Sequence, residues 1–250
     1  MIQIFLDHFS NNLFKNTANY KIDTKLTFKN EVFPIEKKIN LYCIRHGETY
    51  LNRYKRMQGW ADSPLTEEGK LVAIEAGKKL STINFDRVYT SDSGRTVETA
   101  EILLQQNQYN NPVIQKRKAF RETFFGSFEG EFSEVALGKV ASDQGYGSFK
   151  EMFRNHSLEE ITNFIKKSDP YHHAEDYHEL WERLEEGLNE VVSESFNLVE
   201  NILLVTHGNI IRNIVKKFSE EVDIQVEIKN SSITILEYTN DLYKVVSFNQ

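Results

Sequence analysis

From Ile39 to its end the chain alternates short apolar runs of strand length with segments of helical period, and this alternation limits the fold more than any other feature. Ile39 to Ile44 (INLYCI) reads as a strand, and Thr66 as the N-cap of a helix reaching about Leu80. Arg87 to Thr90 reads as a second strand, followed by a helix from about Gly94 to Gln106. Pro112 to Gln115 is a weaker strand and Asn201 to Thr206 (NILLVT) the strongest, with a helix running on from it through about Phe218. The end, SSITILEYTNDLYKVVSF, alternates around Thr239-Asn240-Asp241 and reads as a β-hairpin. Such an order predicts an α/β fold: three layers, α/β/α, with a mainly parallel sheet and the hairpin adding antiparallel strands at one edge.

Two stretches break the pattern. Between about residues 131 and 171 there are short helical pieces, one opened by the capping box Ser157–Glu160 and ending near Lys167. A longer helix follows, with Leu180, Leu184, Leu188 and Val191 along one face. The irregular stretch reads as an insertion over the sheet edge, either a substrate-selecting cap or loop decoration. Residues 1–38 form an Asn-rich extension in which Ile2, Phe5, Phe9 and Leu13 share a helical face. A packed arm, a mobile tail and an upstream translation start all remain open for it, and the sparse charge on its polar face disfavours a docking element for a partner or membrane. Residues 39–250 form the domain.

Several classes are excluded. No apolar run nears the roughly 20 residues that span a bilayer, and MIQIFLDHFSNN lacks the early Lys or Arg of a secretory signal. The single cysteine, Cys43, allows no internal disulfide and fits a reducing compartment, so a cytoplasmic location is expected. Net charge is −7 with no Lys/Arg block, which argues against nucleic acid as a partner. The oligomeric state is not legible.

Ligands of open α/β sheets bind beyond the carboxyl ends of the strands. The first strand ends in Arg45-His46-Gly47-Glu48-Thr49 with Asn52 beyond, the second in Ser91-Asp92-Ser93-Gly94-Arg95, and the strongest in Thr206-His207-Gly208-Asn209. The loop after the third adds Arg121-Glu122. Parallel pairing would bring two histidines, several arginines and a carboxylate to one edge, where Gly47 and Gly208 would let backbone N–H groups approach an anion.

RHGET with Asn52, QGWADSPLTEEG, SDSGR…TA, FRETFFGSFEG and VTHGN…R together closely resemble the histidine phosphatase superfamily, which includes cofactor-dependent phosphoglycerate mutases and broad-specificity phosphatases. The resemblance runs from about Ile39 to the hairpin and is weak within the insertion. It implies that His46 is a nucleophile forming a phosphohistidine, that Arg45 and Arg95 clamp phosphoryl oxygens, and that His207 shares their charge. Glu122 would be general acid and then base, with Glu129 as the second candidate. Thr49, Asn52, Gln58, Gly59 and Gly208 would bind the substrate. Arg95 also has Asp92 and Glu98 as candidate ion-pair partners, and Arg121 and Arg212 read as supporting residues.

No metal and no cofactor are implied, because arginines and histidines can supply the charge that Mg²⁺ supplies elsewhere. His172, His173 and His178 lack the spacing of a metal site. Cys43 has Thr49 rather than Arg six residues on, which excludes a cysteine-phosphatase loop, and GxxxxGK[ST], HExxH, GxSxG and GxGxxG are all missing. The expected activity is hydrolysis of a small phosphate monoester. The alternatives are phosphoglycerate mutase-type transfer and a non-catalytic phospholigand-binding module. QGWADSPLTEEG is closer to the phosphatase branch, and the insertion's Lys139, Lys150, Arg154, Lys166 and Lys167 are diluted by carboxylates.

Overall fold

The structure, a computed structural model, describes residues 25–28, 31–34, 37–109 and 112–250. The helical face of Ile2, Phe5, Phe9 and Leu13 lies outside the described residues. The chain divides into two units, Met1–Glu36 and Lys37–Gln250. In the first, β1 (Lys25–Phe28) and β2 (Glu31–Pro34) pair antiparallel, with Phe28 opposite Glu31.

The second unit is built on a sheet of β3 (Lys38–Arg45), β4 (Arg87–Thr90), β5 (Ile114–Lys116), β6 (Val199–Thr206), β7 (Ile233–Thr239) and β8 (Leu242–Ser247). Their order is β5-β4-β6-β3-β7-β8. The first four run parallel, whereas β7 is antiparallel to β3 and β8 to β7. This is the expected α/β sheet with a hairpin at one edge. Asn240 and Asp241 turn that hairpin at φ 51° and 61°, which short side chains with local hydrogen-bonding power tolerate. β5 starts later than the sequence suggests: Pro112 has no N–H to give a ladder, and pairing begins where Ile114 meets Val88.

Alternation along the strands decides the layers. Ile39, Leu41 and Cys43 of β3, with Ile202 and Leu204 of β6, pack against α7 (Tyr177–Ser193) and α8 (Gly208–Phe218). Leu180, Leu184, Leu188 and Val191, the expected face, are all buried there. The alternate residues Ile44, Leu203 and Val205 pack with Val88 against α2 (Glu67–Lys79) and α3 (Gly94–Gln105). Each such aliphatic side chain contributes about 1.5–3 kcal/mol. Cys43 is fully enclosed, and burial pushes its thiol up to about 12, as for an inert core residue.

α2 is closed by the Thr66 side chain, which accepts from Gly69 N, and it carries Glu67 and Glu68 in its first turn and Lys78 and Lys79 in its last. The irregular stretch contains α4 (Ser133–Asp143), α5 (Phe149–Asn155) and α6 (Leu158–Ser168), the last opened by the Ser157–Glu160 capping box. These three helices share a separate cluster in which Ala136, Val140, Met152, Ile161 and Ile165 meet Met57, Phe125 and Phe128. Met57 and Phe125 stand beside the turns that carry Gln58 and Glu122, so the insertion is seated on those turns.

Candidate active site

Arg45 at the end of β3 pairs with Thr206 at the end of β6, and Thr90 at the end of β4 pairs with Val205. The three loops that follow therefore leave the sheet side by side. His46 donates its backbone N–H to Thr206 O at 2.9 Å, and its ring lies 5.2 Å from that of His207 at 65°. Both rings are buried.

His46 Nδ1 is 2.8 Å from Gly47 O. A carbonyl only accepts, so Nδ1 carries the proton, and Nε2 holds a lone pair with no hydrogen bond among the described residues. Burial holds the His46 pKa well below 6.5, and Arg95 and Arg45 depress it further. The ring is neutral at neutral pH. His207 is likewise held well below 6.5 by burial and then by Arg95.

Arg95 Nη2 donates to His207 Nδ1 at 3.0 Å, which fixes the other tautomer there: Nε2–H points to Ser91 Oγ at 2.8 Å. The remaining Arg95 contacts are Gly59 O at 2.7 Å, Ala61 O at 2.9 Å and Asp62 Oδ1 at 2.9 Å. Its ion-pair partner is thus Asp62. Of the two candidates named from sequence, Asp92 holds Arg121 in a bidentate pair at 2.6 Å and Glu98 lies 3.6 Å from Lys70. Arg45 donates through Nη1 to Ile228 O, and its buried Nε has no partner among the described residues. The nearest atom to a side chain built at Gly208 would be that Nε, at 3.5 Å.

Gly47 does not present its N–H to an anion as expected, because that group donates to Thr99 Oγ1 at 3.0 Å. A Cβ at Gly47 would stand 2.8 Å from Gly69 O, so the residue is small to let α2 approach the loop. Thr49, Asn52 and Gln58 are brought together: Thr49 Oγ1 and Asn52 Nδ2 both donate to Gln58 Oε1, at 2.6 and 3.2 Å, and Thr49 caps α1 (Tyr50–Arg53). Gly59 contributes its carbonyl to Arg95.

Glu122 is almost fully buried, its Oε1 accepting from Thr123 N at 2.9 Å and its Oε2 from Asn209 N at 3.2 Å. Burial raises its pKa above 4.5, against those two bonds and the nearby Arg95 and Arg45. Glu129, the other carboxylate considered, is placed differently. Its oxygens accept from Gly59 N, Trp60 N, Ala61 N and Phe125 N at 2.9–3.0 Å, which fixes the backbone of the 59–61 loop.

Sequence reasoning missed Arg183 on α7. It pairs with Glu175 and donates to Ala119 O, Arg121 O and Glu122 O, clamping the turn on both sides of Glu122. Its only local signal is an arginine beside the apolar stripe of α7. Arg212 donates to Ile224 O, Val226 O and Asn209 Oδ1. His172 and His178 line a cleft of about 830 Å³ that shares no lining residue with the sheet-edge cluster. Among the described residues no group of three or more His, Cys, Asp or Glu is placed to hold a metal, and no helix is long and apolar enough to cross a membrane.

Residues 41–250 match the family described as histidine phosphatase superfamily (branch 1). The chain is 31% identical over 209 residues to the broad-specificity phosphatase YOR283W of Saccharomyces cerevisiae, covering 81% of each. It is 26% identical to a 2,3-bisphosphoglycerate-dependent phosphoglycerate mutase of Bacteroides fragilis, over 82% of this chain and 88% of that one. The crystal structure of a phosphoglycerate mutase from Bacillus anthracis superposes with a TM-score of 0.81 at 33% identity, covering 86% of this chain and 94% of that one. The six-stranded, mostly parallel sheet with its antiparallel hairpin is the phosphoglycerate mutase fold.

Proposed function

Because this chain belongs to the histidine phosphatase superfamily (branch 1), we propose that it is a phosphomonoesterase that hydrolyses a small phosphate ester through a phosphohistidine on His46. The observation that carries this reading is the His46 ring: buried and neutral, with Nδ1 bound to Gly47 O and the Nε2 lone pair unbonded among the described residues. In the first step Nε2 attacks phosphorus, the ester P–O bond breaks, and the Glu122 proton passes to the leaving oxygen. In the second, water attacks the phosphoryl group, Glu122 takes its proton, the N–P bond breaks, and orthophosphate leaves with His46 neutral again. Arg45, Arg95 and His207 supply charge and donors to the phosphoryl oxygens. Only the buried Nε of Arg95 is unpartnered among the described residues, so a further donor from Arg95, like one from His207, requires exchange of an internal bond. Thr49, Asn52, Gln58, Gly59 and Gly208 line the approach.

Hydrolysis is favoured over mutase chemistry by the charge in the insertion. A doubly phosphorylated intermediate needs free cations over the cleft, and two of the insertion's five are taken: Lys139 is paired with Asp143 at 2.7 Å and Lys166 with Asp176 and Glu179 at 2.9 and 2.7 Å. The mutase reading is supported by the 33% identical Bacillus anthracis structure. A panel of phosphate esters assayed in EDTA, with 3-phosphoglycerate plus 2,3-bisphosphoglycerate among them, separates the two. We expect orthophosphate release, activity that survives EDTA, and label on His46 after alkaline quench and peptide mapping. Isomerisation without orthophosphate release overturns hydrolysis, and label on another residue overturns the mechanism.

A further inference from the structure

Asp62 has no place in the chemistry above, yet it touches that chemistry at two points. Its Oδ1 accepts from Arg95 Nη1 at 2.9 Å, and its Oδ2 accepts from Gly94 N, the first residue of α3, at 2.6 Å. Ser93, the residue in the N-cap position, makes no side-chain cap bond, so Asp62 closes the helix from another loop. A Cβ at Gly94 would stand 2.9 Å from Asp62 Oδ2, so only glycine admits this approach. The four terminal N–H groups of Arg95 go to Ala61 O, Asp62 Oδ1, Gly59 O and His207 Nδ1. Asp62 is the one carboxylate among those acceptors.

We propose that Asp62 is a positioning residue that holds Arg95 in the phosphoryl site and, as the anion sharing that guanidinium, limits how tightly the site binds phosphate. The first part follows from geometry: an arginine starting a helix is aimed by the group that caps the same helix. The second follows from charge. A phosphoryl oxygen that takes an Nη donor competes with an anion already bound there, and the net field it meets is smaller by one charge. A hydrolase that must release orthophosphate on every turnover gains from such a brake. The proposal rests on the reading of Arg95 as a phosphate clamp.

The test is calorimetric titration of the full chain with inorganic orthophosphate at pH 8, folding of each variant being checked by circular dichroism. Asp62→Asn keeps an acceptor for Gly94 N but removes the charge, and should bind orthophosphate about three- to tenfold more tightly than wild type. Asp62→Ala removes charge and acceptor together, and should bind at least about tenfold more weakly than Asp62→Asn, since terminal donors left unaimed lose most of a bidentate contact. If Asp62→Ala does not fold, Gly94→Ala displaces the same carboxylate and should weaken binding relative to wild type. An Asn variant no tighter than wild type overturns the charge-sharing role, and an Ala variant equal to the Asn variant overturns the positioning role. Wild-type protein that binds orthophosphate but hydrolyses no ester overturns the hydrolase reading alone, while tightening in Asp62→Asn still supports Asp62. Wild type that binds no orthophosphate overturns both.

Discussion

Glu122 and His46 titrate in opposite senses, and their burial separates what each contributes to a pH profile. Burial depresses His46, so the nucleophilic form is lost only as pH falls through a value well below 6.5. Burial raises Glu122, so the proton-donating form is lost as pH rises through a value above 4.5. For an alkyl phosphate, kcat/KM should therefore rise on the acid side with His46 and fall on the alkaline side with Glu122. Glu122→Gln keeps size and one acceptor oxygen, which can serve Thr123 N or Asn209 N but not both, and has no proton to transfer. It should slow an alkyl ester by ~10²–10⁴-fold and an aryl ester far less in the first step, with phosphohistidine accumulating because water lacks its base. Equal slowing of both esters with no trapped intermediate would make Glu122 a structural residue.

At the scale of elements, the turn that carries Glu122 is held from α7. Arg183 donates to Arg121 O at 2.8 Å and Glu122 O at 3.1 Å while paired with the buried Glu175. Arg183→Lys keeps the charge but cannot span three carbonyls and a carboxylate at once. Alkyl phosphate turnover should fall by roughly ten- to a hundredfold with a smaller loss for aryl esters, because a small displacement of the acid matters most where a proton must arrive. Parallel loss for both esters, tracking a lower Tm, would mean the residue acts through stability alone. This clamp illustrates what a single sequence hides. The strands, helices and strand-end motifs follow from local period and local residue chemistry, so β3, β4, β6 and their histidines and arginines could be read directly. Arg183 with Glu122, Asp62 with Arg95, and Glu129 with the 59–61 loop join residues far apart in sequence, and no spacing rule links them. Gly47 departs from expectation for a related reason: its neighbour Gly69 sits on another element, so the need for closeness leaves no trace beside it in the chain.

For the whole molecule, two buried neutral histidines tie stability to pH. Their folded pKa values lie below the unfolded value of 6.5, so the stability they confer is complete above 6.5 and is lost as pH falls toward the folded values. Thermal unfolding should show Tm falling steadily below about pH 6.5, and His207→Gln should flatten that slope. An unchanged slope would place the acid sensitivity elsewhere. The three apolar clusters bear on a different property, the independence of mutations. No member of the cluster under α4, α5 and α6 belongs to either cluster that packs on the sheet. Substitutions around Met152 or Ile161 should combine additively with those around Leu204 or Val88, since distant sites with no shared partners rarely couple. A lineage can then rewrite the ground over the Gln58 and Glu122 turns, one methyl group at a time, while the histidines and arginines beneath keep a fixed frame.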